Sequence, residues 1–86
     1  MYEAIQSYVT TVDAEGKASP HTLSAYRTDL RQLQDYLAGL RVTAWAGVTE
    51  EHLVGFVQHL GLRGYAPTSI ARKVAAVKSF FAFLAR

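Results

Sequence analysis

Few residues in this 86-residue chain have the type and spacing for covalent chemistry. Cysteine is absent, which removes thiolate nucleophiles and disulfides together. No Ser or Thr belongs to a recognisable nucleophile motif. The three histidines are His21, His52 and His59, and the last two are seven residues apart, able to share one side of a helix. A metal site there needs a third ligand at suitable spacing, and the sequence offers neither an i, i+4 partner nor a carboxylate. Solvated or half-buried histidines are the expectation. The acids are too scattered for a working carboxylate pair. Tyr8, Tyr26, Tyr36, Phe80, Phe81 and Phe83 fall at or near apolar stripes, where packing explains them. We therefore expect no catalytic residue, no metal and no cofactor in this chain.

Two mixed sets of basic, hydroxyl and small residues are more suggestive. Thr22, Ser24, Ala25 and Thr28 fall on one polar face, with Arg27 and Arg31 along its edge. Thr68, Ser69, Arg72, Lys73 and Ala76 form a second set, on the side away from Val74, Val77 and Phe81. Arg and Lys neutralise phosphates, hydroxyls bond phosphates or base edges, and small side chains let a helix enter a major groove about 12 Å wide. Ordinary solvent-facing residues would give the same pattern, so composition and periodicity leave both readings open.

The elements that carry these sets are helices. From Ser19 to Leu40, the residues Leu23, Tyr26, Leu30, Leu33, Leu37 and Leu40 recur at steps of three and four, a helix with one core side. Ser19 is placed to cap it, and Pro20 suits the first helical position, where no N–H partner is needed. Gly39 is the expected stop. Before it, Ile5, Tyr8, Val9 and Val12 stripe a helix over residues 2–14, and Gly16 breaks the chain. After it, Trp45 and Val48 in the connection are too apolar for water and should dock on the core. Thr49 caps a third helix, with Glu50 and Glu51 in the dipole-favoured first turn and Leu53, Phe56, Val57 and Leu60 inward. A fourth starts at Pro67, with Ile70, Val74, Val77, Phe81 and Leu84 inward and Phe80 on the edge. No period-2 segment is flanked by hairpin signals. The fold class is therefore all-α: a compact four-helix bundle with helices at about 2–14, 20–38, 50–60 and 67–85.

The second helix opens S-P-H-T-L and the fourth A-P-T-S-I, each with Pro first, a hydroxyl two residues later and an aliphatic residue next. Facing the same way, two such starts would offer N–H groups and hydroxyls to phosphates.

Composition bounds the remainder. With half its residues apolar and 19% charged, the chain has room for one domain over residues 1–86. No apolar run approaches the roughly 20 residues of a membrane span, and the N-terminus lacks the features of a signal peptide, so we expect a cytoplasmic protein. The net charge of +2 hides an asymmetry: the last 23 residues hold Arg72, Lys73, Lys78 and Arg86 and no acid. Such concentration points to an anionic partner.

Three segments carry a family resemblance: S-P-H-T-L-S-A-Y-R-T-D-L, then W-A-G-V-T with E-E-H-L, then R-G-Y-A-P-T-S-I-A-R-K-V-A-A-V-K-S-F-F-A-F-L. In order and spacing they resemble the N-terminal core-binding domain of tyrosine recombinases, of the Xer type and the phage-integrase branch, a domain described as SAM-like. The likeness runs from about Ala4 to Leu84. It implies a four-helix module that clamps a recombination half-site in double-stranded DNA, its second and fourth helices at the major groove. Carried over position by position, the DNA-facing residues are Thr22, Ser24, Ala25, Arg27, Thr28 and Arg31, with Thr68, Ser69, Arg72, Lys73 and Ala76. It further implies partner protomers in a tetramer, and a catalytic domain outside this chain, so none of Tyr2, Tyr8, Tyr26, Tyr36 or Tyr65 is read as the nucleophile. Ala66 departs from the family's Ser before the fourth helix, an expected loss of about 1 kcal/mol of capping.

The competing class is a helical protein-interaction module, with Trp45, Tyr65 and Phe83 as its apolar contact, or an orphan regulator without a catalytic domain.

Overall fold

The computed structural model describes residues 1–86 as four helices, α1 (Tyr2–Ala14), α2 (Pro20–Gly39), α3 (Glu50–Leu62) and α4 (Pro67–Leu84), with one 3-10 turn at Trp45–Gly47 and no strand. The starts follow their capping chemistry. Ser19 Oγ accepts from the Thr22 N–H at 3.2 Å, and Pro20 occupies the first turn of α2. Thr49 Oγ1 accepts from the His52 N–H at 3.3 Å, while His52 Nδ1 accepts from the Thr49 N–H at 3.0 Å. That reciprocal box closes two orphan donors of α3 and gives His52 a structural role. Ala66 offers α4 no side-chain cap.

The ends follow a different rule from the one expected for α2. Gly39 stays helical, and Arg41 takes the left-handed conformation instead, with φ 63°. The Arg41 N–H bonds the Ala38 carbonyl at 3.0 Å and the Val42 N–H bonds the Leu37 carbonyl at 2.9 Å. This is the Schellman pattern, and Val42, packed against the core, holds the chain folded back over the helix end. α3 ends in the same way on Gly64, at φ 84°, where no Cβ opposes it.

α2 packs against each of the other three helices. Ile5, Tyr8 and Val9 of α1, Leu30, Leu33 and Leu37 of α2, Phe56 and Leu60 of α3, and Val77 and Phe80 of α4 make the core. Trp45 and Val48 dock on it as expected: the indole ring meets Phe80 edge-on at 4.8 Å, and its Nε1 donates to the Met1 carbonyl at 3.0 Å. The buried Tyr8 hydroxyl donates to Ser79 Oγ at 2.7 Å, joining α1 to α4.

Three expectations of facing are corrected. Leu40 and Val57 are exposed, not core. The buried arc of α4 is Lys73, Ala76, Val77 and Phe80, rotated by about 60° from the expected Ile70–Leu84 stripe at 100° per residue, and Leu84 is exposed. The starts of α2 and α4 also do not face the same way. Lys17, Ala18 and Tyr26 share a cleft with Ser79, Ala82 and Arg86, so α2 begins beside the last turns of α4.

Candidate nucleic-acid interface

The most constrained polar cluster lies where α2 and α4 touch. Asp29 falls on the inner side of α2, one step from Leu30 and four from Leu33, and is fully buried. Its Oδ1 accepts from Lys73 Nζ at 2.9 Å and from Arg72 Nη2 at 3.0 Å. The two neighbouring cations differ in environment. The Lys73 side chain is 5% exposed and that of Arg72 53%. Lys73 is thus the internal counter-ion, with its ammonium also 4.9 Å from the centre of the Tyr65 ring. Asp29 Oδ2 is buried and has no hydrogen-bond partner.

This cluster corrects the position of two residues expected on the open polar face. Lys73 is drawn inward because only Asp29 can neutralise it there, and Ala76 is fully buried because a small side chain lets α4 approach the core. Neither side chain stands on the open face. The remaining residues are placed as follows. Ser24, Thr28 and Arg31 lie on one exposed line of α2, at steps of four and three. Thr22 is half-buried, its hydroxyl 3.1 Å from that of Ser19, and Ala25 is half-buried. Arg27 leans toward α1, where its Nε donates to Gln6 Oε1 at 3.2 Å. Arg31 also leans that way, its guanidinium 5.5 Å from the centre of the Tyr2 ring. On α4, Thr68 is exposed, Ser69 half-buried, and Arg72 stands at the seam.

The two sets therefore meet only in part. Thr28, Arg31, Gln32 and Tyr65 line one open cleft between α2 and the start of α4, together with Asp35, and the nearly buried Lys73 lies at its floor. Gln32 Nε2 donates to Tyr65 Oη at 2.9 Å across it. Sequence reasoning passed over Asp29 and Gln32 and gave Tyr65 only to the competing apolar contact. A signal for Asp29 existed: a carboxylate on the apolar period of α2 calls for a buried cation, and the structure supplies Lys73.

The other chemistries have little to build on. His59 stacks against Tyr36 at 5.0 Å, and no group of three or more His, Asp and Glu side chains converges. Trp45 and Phe83 pack on the core and Tyr65 belongs to the seam, so these three do not form an apolar contact surface. The exposed apolar residues of α3 are Val54, Val57 and Leu62. No helix is long and apolar enough to cross a membrane.

Comparison with known proteins places this arrangement. Residues 5–86 match the family described as phage integrase, N-terminal SAM-like domain. The chain is 43% identical over 84 residues to tyrosine recombinase XerC of Roseiflexus castenholzii, covering 98% of this chain and 27% of that protein. It is 33% identical over 86 residues to tyrosine recombinase XerC of Pseudomonas syringae pv. syringae, covering 100% of this chain and 29% of that protein. The chain thus spans under a third of the length of the curated relatives it matches. No solved structure matches it. With the match running from the first core residue of α1 through α4, the chain belongs to the phage integrase N-terminal SAM-like domain family of the tyrosine recombinases.

Proposed function

We propose that this domain binds duplex DNA through the seam of α2 and α4, as the part of a Xer-like recombinase that clamps a recombination half-site during strand exchange. The observation that carries the reading is Arg72: half in solvent, held at one side by a buried carboxylate, beside exposed hydroxyls on both helices. Arg72 and Arg31 bind phosphates, with Arg27 at the edge. Ser24, Thr28, Thr68 and Ser69 bond phosphates or base edges, and Thr22 and Ala25 line the approach. Cleavage and rejoining belong to a separate catalytic domain of the full-length recombinase, and the other protomers of a tetramer are its protein partners. Binding by the isolated domain is weak, since one face of few cations grips only one side of the duplex.

The test is a titration of labelled duplex into the domain at about 50 and then 200 mM salt, with Arg72→Ala and Arg31→Ala variants. Binding is expected to weaken with salt, and each substitution to lower the salt slope by about one. No binding at low salt by a folded domain would sink this reading. It would favour instead a protein-interaction module, whose apolar contact through Val54, Val57 and Leu62 of α3 would hardly respond to salt.

A further inference from the structure

Resting on the DNA-binding reading above, we infer that Asp29 is a positioning residue: it orients Arg72 for a phosphate while Lys73 keeps the carboxylate neutralised. Three observations carry this. Both cations share a single oxygen, Oδ1, at 2.9 and 3.0 Å, so Asp29 has more counter-charge than its own single charge requires. Lys73 is closed in and Arg72 is open, at 5% and 53% side-chain exposure, so only one of the two can meet a ligand. Arg72 spends one nitrogen, Nη2, on Asp29, and a guanidinium carries five N–H donors in a rigid fork.

A phosphodiester oxygen can therefore accept from the free edge of Arg72 while the Nη2 bond to Asp29 persists. Arg72 then bridges a buried carboxylate and a bound phosphate, and little rotamer freedom is lost on binding. Lys73, 5% exposed and with its ammonium turned to Asp29, has little surface for this role. The division explains why two adjacent cations, alike in sequence, do different work: one completes the core and the other is presented from it.

The decisive variant is Asp29→Leu combined with Lys73→Met, which removes one charge of each sign and leaves the chain at its net +2. Replacing a buried ion pair by apolar residues of similar size is compatible with folding. If Asp29 positions Arg72, DNA affinity at low salt falls about three- to tenfold with the salt slope unchanged, and Arg72→Ala in that background costs less than in the natural one. If the seam acts only through net charge, affinity stays the same and the proposal is overturned. Arg72→Lys tests the same point without touching the core. It keeps the charge and loses the fork, so a similar fall is expected, and full retention of affinity counts against the bridge. The Arg72 Nε–H resonance in NMR relaxation is the readout independent of DNA: ordered in the natural domain, mobile in the double variant. A mobile Arg72 in the natural domain overturns the positioning role even if DNA binds. An ordered Arg72 in a domain that ignores DNA overturns the binding reading and leaves a purely structural triad.

Discussion

At the scale of single residues, the chain separates Arg72 from Lys73, and stability measurements should separate them as well. Asp29→Ala strands the Lys73 ammonium inside the protein with no carboxylate, and an uncompensated buried charge costs about 3–5 kcal/mol. Arg72→Ala leaves Asp29 paired with Lys73 and removes a half-exposed side chain, so about 1 kcal/mol or less is expected. Urea unfolding of the two variants checks this, and equal losses would contradict the division of roles. The consequence for binding work is direct. A variant lacking both Arg72 and Lys73 mixes unfolding with lost contacts, whereas Arg72→Ala alone tests the proposed interface. At this scale sequence reasoning identified the right residue types at the seam and misplaced two of them. Arg72 and Thr28 are where periodicity put them, but the 3.6-residue period carries no information about which cation finds a carboxylate 44 positions away.

At the scale of elements, capping chemistry was the legible part. Ser19, Pro20, Thr49 and Pro67 start helices as their side chains dictate. The box closed by His52 was missed because the usual partner at that position is Glu or Gln. Two helix ends are imperfect and improvable. Ala66→Ser supplies the missing cap on α4 and should stabilise the domain by about 1 kcal/mol. Arg41→Gly removes the Cβ that opposes a left-handed residue, a penalty of roughly 1–2 kcal/mol. For a domain of this size each kcal/mol corresponds to about 4–8 °C in melting temperature, so thermal melts should show both gains. An unchanged melting temperature in Arg41→Gly would mean that the turn relieves its strain some other way. Arg41 also shows why the α2 stop was misjudged: the end is set by Val42 folding back onto the core, not by the nearest glycine.

At the scale of the whole molecule, only 13 of 86 residues are buried, and α2, which like α4 packs against all the other helices, holds four that are fully enclosed. Native-state hydrogen exchange should therefore be slowest at the α2 amides around Leu30, Leu33 and Leu37 and fastest in the Gly16–Ser19 connection. Protection greater in α1 than in α2 would show that a different element organises the fold. The same centrality explains the site. Being buried on one side by α1, α3 and α4, α2 leaves to solvent the line of His21, Ser24, Thr28, Arg31, Asp35 and Ala38, and Thr28, Arg31 and Asp35 of that line border the cleft beside the start of α4.

The sequence by itself determined four helices, where each begins, the absence of thiol chemistry, and the family, because propensity, capping and apolar period are local properties of the chain. Tertiary structure alone decided how far α4 turns about its axis, that α2 begins beside the end of α4, and that Lys73 faces in while Arg72 faces out. The last of these depends on Asp29, a single buried carboxylate on α2. The burial of a charge is governed by the partner it meets in space, and an apolar period read along one helix cannot contain that partner.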